Sequence, residues 1–228
     1  MKKIYFAVIA ILMISCAGEK NPEELLRKAF EEAKKVETAI FTVTYSLETE
    51  RGKEVHERNV VVKRHDKDSL NGIYFMITDT DSTRVFFNGS NLTILDDRHK
   101  KAVIENDTET AAKLAATYLP LIEHVMPLES RELQLKDTDS LSYNGTAKVD
   151  GVSCEVVRII RKEPYRDITY YIGRGDYYVR KSEISMETAT KDMRRSNTFI
   201  TGLRTGITVP DSAFNPSIPE GYMLDSLD

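Results

Sequence analysis

The 228-residue chain has no tryptophan, two cysteines and four histidines. Two cysteines exclude a disulfide-stapled miniprotein, and so few Cys and His residues argue against a structural zinc cluster. There is no basic excess: 32 Lys and Arg against 36 Asp and Glu give a formal net charge of −4. A nucleic-acid partner demands a positive footprint, so none is expected. The familiar signatures of catalysis are missing as well. His56, His65, His99 and His124 form no His-x-x-x-His pair, and there is no Gly-x-Ser-x-Gly elbow, phosphate loop or dinucleotide fingerprint. An enzyme, a cofactor and a metal site are therefore not expected. No linker rich in Pro, Gly or Ser divides the chain. What is present is globular: 41% hydrophobic and 30% charged residues, with eleven tyrosines and many Val, Ile and Thr that favour β-sheet.

The longest apolar run, residues 4–14, follows Lys2 and Lys3. Eleven residues cannot anchor a helix in a bilayer, which takes about 20, but they suit the core of a signal peptide. The run leads into Leu12-Met13-Ile14-Ser15-Cys16, which resembles the lipobox of bacterial lipoproteins. That resemblance implies a signal peptide over 1–15, a diacylglycerol on Cys16, and N-acylation of the new N-terminus by a palmitate-type chain. Two or more chains hold a protein stably at a membrane, where one gives only reversible binding. Residues 16–21 then form a lipidated N-terminus and short tether, and 22–228 one extracytoplasmic domain. Ala17 lacks the Asp that, in enterobacterial sorting, retains lipoproteins at the inner membrane, which points to the outer membrane. Cys154, among Val152, Val156 and Val157, reads as a buried small apolar residue.

Asn21-Pro22-Glu23-Glu24 is a helix start, with a capping residue, proline at the first position and acids in the first turn. Leu25, Leu26, Ala29, Phe30, Ala33 and Val36 follow at helical spacing. The period then changes to two: Phe41, Val43, Tyr45 and Leu47 alternate with polar residues, as in a half-buried strand. Further strands are predicted at 54–64, 72–78, 83–88, 91–96 and 100–104, then at 131–136, 140–149, 152–162, 167–173, 177–187 and 195–204. Asn71-Gly72, Asn88-Gly89, Asn144-Gly145 and Asp150-Gly151 read as hairpin turns. Between the two sets of strands, Asp107-Thr108 caps a second apolar-faced helix that Pro120 kinks or restarts. The tail from Val209, with Pro210, Pro216 and Pro219, is expected to be mostly irregular. The fold class is a β-dominated α+β protein: a curled antiparallel sheet of about ten or eleven strands with an N-terminal helix and a mid-chain helical lid.

This layout resembles the LolA/LolB-like superfamily of lipoprotein-carrier proteins. Particular stretches fit it: Val85-Phe86-Phe87-Asn88-Gly89-Ser90-Asn91-Leu92, Asp150-Gly151-Val152-Ser153-Cys154-Glu155-Val156, residues 172–184, and Pro219-Glu220-Gly221-Tyr222. The resemblance implies an incomplete barrel whose hollow, closed by the lid, takes a lipid acyl chain or a lipoprotein. Candidate lining residues are Phe41, Val43, Tyr45, Ile73, Phe75, Phe86, Leu92, Ile94, Leu119, Ile122 and Met126. The alternative is a protein-interaction or sensor domain of the envelope, with an envelope protein as partner and the cavity filled by side chains.

Two motifs have simpler readings. Arg174-Gly175-Asp176 sits between Tyr-rich strands and reads as a turn. Asp79-Thr80-Asp81-Ser82 and Asp137-Thr138-Asp139-Ser140 lack the glycine and terminal Glu of a calcium loop and read as solvated loops. Glu123-His124 is expected on the solvated side of the lid.

Overall fold

The computed structural model describes residues 20–65, 72–127 and 135–225. The signal peptide, Cys16 and most of the tether lie outside these residues, as do Asn71 and positions 131–134 of one predicted strand.

Helix α1 (Pro22–Lys34) begins where its cap requires: the Asn21 side chain accepts from the backbone N–H of Glu23 at 3.0 Å. Six strands then form a meander: β1 (Thr38–Thr49), β2 (Gly52–Arg64), β3 (Ile73–Asp79), β4 (Thr83–Phe87), β5 (Leu92–Asp96) and β6 (Lys101–Glu105). Each pairs antiparallel with the one before it. Helix α2 (Thr108–Ala115), capped by Asp107, passes through a 3-10 turn into the short α3 (Leu119–Ile122), which Pro120 restarts. A second meander follows: β7 (Ser140–Val149), β8 (Val152–Lys162), β9 (Tyr165–Gly173), β10 (Val179–Glu187) and β11 (Met193–Thr205). It ends with β11 beside β1, which joins the two halves into one sheet.

Among the described residues there are twelve strands rather than ten or eleven, because the tail adds β12 (Met223–Asp225) to β6 in parallel. Three exposed residues carry no alternation from which a strand could be read. Among the described residues the order β12-β6-β5-β4-β3-β2-β1-β11-β10-β9-β8-β7 leaves β12 and β7 as unpaired edges, so the barrel is incomplete. Asp150 and Gly151, both at positive φ, make the expected turn from β7 to β8. Asn144-Gly145 does not turn the chain. It sits inside β7, where the pairing shifts between Tyr143 and Thr146 and Gly145 takes φ 83°. A glycine within a strand commonly marks such a bulge. Arg174-Gly175-Asp176 lies in the turn from β9 to β10.

Directly opposed residues of an antiparallel pair share a face. The pairs Val43–Ile200, Thr198–Ser182, Ser182–Tyr170 and Tyr170–Val157 therefore trace one face from β1 to β8. All three helices lie on it. The α2–α3 segment covers the first half, where Phe41, Val43, Val60, Val62, Ile73, Phe75 and Phe87 pack with Ala111, Ala115, Leu119, Ile122 and Met126. Helix α1 covers the second, setting Leu26 and Ala29 on Val157, Ile159 and Ile172. Arg64 ties the covers together, donating to the carbonyls of Lys34, Val36 and Pro127 at 3.2–3.5 Å. On the opposite face the tail lays Ile218 and Tyr222 over Phe86, Leu95 and Ala102.

Phe75 is fully buried, and its ring lies 5.5 Å from that of Phe87. Phe75→Ala is expected to lower unfolding stability by about 3–5 kcal/mol in urea titrations. Val55→Ala, at a residue 57% exposed, should change it by less than about 0.5 kcal/mol.

Candidate functional site

The two helical covers do not meet over β8–β10, and a half-enclosed cavity of about 370 Å³ remains there. One wall is α1, whose Leu26, Ala29, Phe30 and Ala33 recur at the spacing of one helix face. The two alanines are what leave room. The floor is Ile159 of β8, Ile168 and Tyr170 of β9 and Val179 of β10. The end of the lid supplies Glu123, His124 and Pro127, and Leu135 closes a side.

Two arginines also line the cavity. Arg161 and Arg166 stand opposite each other in the β8–β9 register, a placement that repels unless the charges are compensated. Arg161 is compensated: Nε and Nη2 grip the two oxygens of Asp139 at 2.8 and 2.7 Å. The Asp139 side chain is shut off from solvent, and the guanidinium holds its carboxyl at about 2, well below the usual range. The segment expected to be a solvated loop thus supplies a buried acid that fixes one of the cavity's arginines.

The lid end corrects a second expectation. His124 is half-buried rather than solvated: its Nε2 lies 2.8 Å from Ser182 Oγ, and its Nδ1 is closed to water. Its ring centroid is 6.3 Å from that of Tyr170. Burial drives its pKa down to about 4, with the Pro120 carbonyl opposing only weakly, so the imidazole is neutral at pH 7. Burial, helped by the charge of Glu123, also raises the Tyr170 hydroxyl and keeps it protonated.

The eleven residues expected to line a hollow are placed as follows. Phe41, Val43, Ile73, Phe75 and Leu92 are packed under α2–α3 against that segment's own Leu119 and Ile122 and the adjoining Met126, with Tyr45 and Ile94 at the margin of the same cluster. Phe86 faces the other side, because its neighbour Phe87 takes the inward position on β4. None of the eleven lines the 370 Å³ cavity. The residues that do line it belong to an apolar helix stripe and to strands that are legible separately. That they face each other depends on the long return from β6 to β7, for which local patterning carries no signal. Cys154 is fully buried, and burial raises its thiol.

Near the tether, the carboxylate of Glu155, 2% exposed, accepts from Lys20, from Tyr143 Oη at 2.6 Å and from Arg174 Nε at 2.6 Å. Burial pushes this carboxyl up, but the three donors outweigh it and hold it low. Lys20 thereby pins the start of the domain to β8. Among the described residues no three His, Cys, Asp or Glu gather as a metal cluster, and no helix is long and apolar enough to cross a membrane.

Comparison with known proteins follows the same lines. The model of a family described as "Predicted periplasmic protein (DUF2092)" matches residues 23–223. No curated protein matches the chain. Among solved structures, MucB superposes with a TM-score of 0.51 at 14% identity, over 88% of this chain and 64% of that one. This chain thus spans less than two thirds of MucB, and the likeness is one of fold. More distant are the Mycobacterium tuberculosis lipoprotein LppX (TM-score 0.47, 14% identity, 84% of this chain and 100% of that one) and a LolA superfamily protein from Nitrosomonas europaea (0.38, 11%, 86% and 97%).

The buried imidazole makes stability depend on pH. Below pH 6.5 the unfolded chain takes up a proton that folded His124 refuses until about pH 4. Stability is therefore lost as pH falls through that window, by up to about 3 kcal/mol. In denaturant titrations at pH 7 and pH 4.5, His124→Gln should flatten this decline. Asp139 contributes separately, its stabilisation being lost only below about pH 4.

Proposed function

The chain belongs to the family of predicted periplasmic proteins matched over residues 23–223, and from that premise we propose that it is a membrane-tethered, non-enzymatic protein of the bacterial envelope that shelters one lipid alkyl chain. The cavity between α1, the lid end and β8–β10 carries this reading. Its walls are mostly aliphatic, and its volume falls at the small end of the range for small-molecule sites, roughly 300–1,000 Å³. Counting each carbon at about the 30 Å³ share of a water molecule, it takes roughly a dozen carbons. Burying them is worth on the order of 10 kcal/mol at about 0.8 kcal/mol per CH₂. Association and ordering cost a large part of this, estimated at roughly 4–15 kcal/mol, which leaves reversible binding. A lipoprotein carrying several chains exceeds this space. It would need α2–α3, carrying Leu119, Ile122 and the adjoining Met126, to lift from Phe41, Val43, Ile73, Phe75 and Leu92, with Tyr45 and Ile94 at the rim. Such opening is how the residues under the lid would join the site.

In this reading Cys16 carries the acyl anchor, and the domain faces the periplasm from the outer membrane. The second reading, a protein-interaction module, is favoured by the likeness to MucB, a protein also solved in complex with MucA.

Native mass spectrometry of the purified protein separates the two. Bound species of alkyl-chain mass support the lipid reading. An empty protein that also ignores a fluorescent fatty acid, yet retains one stoichiometric protein partner, contradicts it. Ala33→Phe, which fills the cavity from α1, should weaken fatty-acid binding at least tenfold while circular dichroism stays unchanged. Cys16→Ser should move the protein from the membrane to the soluble fraction on cell fractionation; retention at the membrane would refute the anchor.

A further inference from the structure

Among the described residues, the cavity contains one positive charge, that of Arg166, with an unbonded donor. Four ionisable side chains of opposite sign or variable charge line it besides Tyr170: Glu123, His124, Arg161 and Arg166. Arg161 is held by both oxygens of Asp139. His124 is neutral above about pH 4. Glu123 stands beside Tyr170 and has an interaction of its own. Arg166 differs from all of these. Its Nε is closed to water and has no hydrogen-bond partner among the described residues. A shielded guanidinium donor left unbonded is costly, and the cost is recovered when an anion fills the place. The cavity beside it is lined by Ile159, Ile168 and Leu26.

We propose that Arg166 receives the anionic head of a single-chain amphiphile whose alkyl tail occupies the cavity. This rests on the lipid-binding reading above and narrows it from any acyl chain to one ending in a carboxylate or a phosphate monoester. Guanidinium geometry matches both, since its planar fork bonds two oxygens at once. A chain ending in an ester lacks the anion that Arg166 requires, and a zwitterionic glycerolipid brings an ammonium beside its phosphate and a second chain.

The test measures binding of three probes with the same tail to the full-length protein by isothermal titration: palmitate, methyl palmitate and hexadecyl phosphate. The wild type is expected to bind at least one anion about tenfold or more tighter than methyl palmitate, since charge-assisted hydrogen bonds are the strong ones. Which anion binds tighter tells a fatty-acid source from a phosphorylated one. Arg166→Met should erase the preference while leaving methyl palmitate affinity within about twofold, and Arg166→Lys should restore part of it. Equal binding of all three probes by the wild type overturns the head-group assignment and leaves the cavity reading standing. So does a preference that survives in Arg166→Met. Failure of all three probes to bind overturns both.

Discussion

A twelve-stranded sheet with one apolar face presents more greasy surface than three short helices can cover. The rest of the structure follows from that mismatch. Helices α2 and α3 are spent on β1–β5, where Phe41, Phe75 and Phe87 fill a dry core. Helix α1 is spent on β8 and β9. Between the covers the sheet stays partly bare, and small residues on α1, Ala29 and Ala33, keep it so. Closing the barrel would have hidden this surface, but β7 and β12 remain apart. The gap is bounded rather than accidental, because Arg64 fixes the end of α1 and the end of the lid to the same strand.

Several polar groups around this gap are satisfied from within, although among the described residues His124 Nδ1 and Arg166 Nε are closed to water without a hydrogen-bond partner. Asp139 neutralises Arg161, Ser182 meets His124, and burial holds the histidine and tyrosine in their uncharged forms. Such satisfaction is what a low-polarity environment demands of buried polar groups. The same accounting at the chain's start explains why Glu155 tolerates burial: three donors converge on it, one of them from the tether.

Much of the fold is legible in the residues. The Asn21 cap, the Pro120 restart and the Asp150-Gly151 turn act through neighbours in sequence, so each appears where its chemistry requires. The alternation of Phe41 and Val43 correctly marks an inward face. What stays hidden is which inward face meets protein and which meets space, because a strand looks the same in either case. Phe86 and Phe87 show the limit at single-residue scale: adjacent aromatics, one inside and one under the tail. Asp139 shows it at the scale of the topology. Its partner Arg161 lies on β8, and only folding turns an acidic loop into a buried ion pair. The bulge at Gly145 and the parallel addition of β12 depend likewise on neighbours distant in sequence.

The central claim is that the space left between α1 and the lid, over β8–β10, holds an alkyl chain. Titration of methyl-labelled protein with palmitate, followed by NMR, tests it most directly. The account predicts shift changes and chain-to-methyl contacts confined at first to Ala29, Ala33, Ile159, Ile168 and Val179. Saturating palmitate that leaves these methyls unmoved, or that contacts only residues beneath α2–α3, would contradict it.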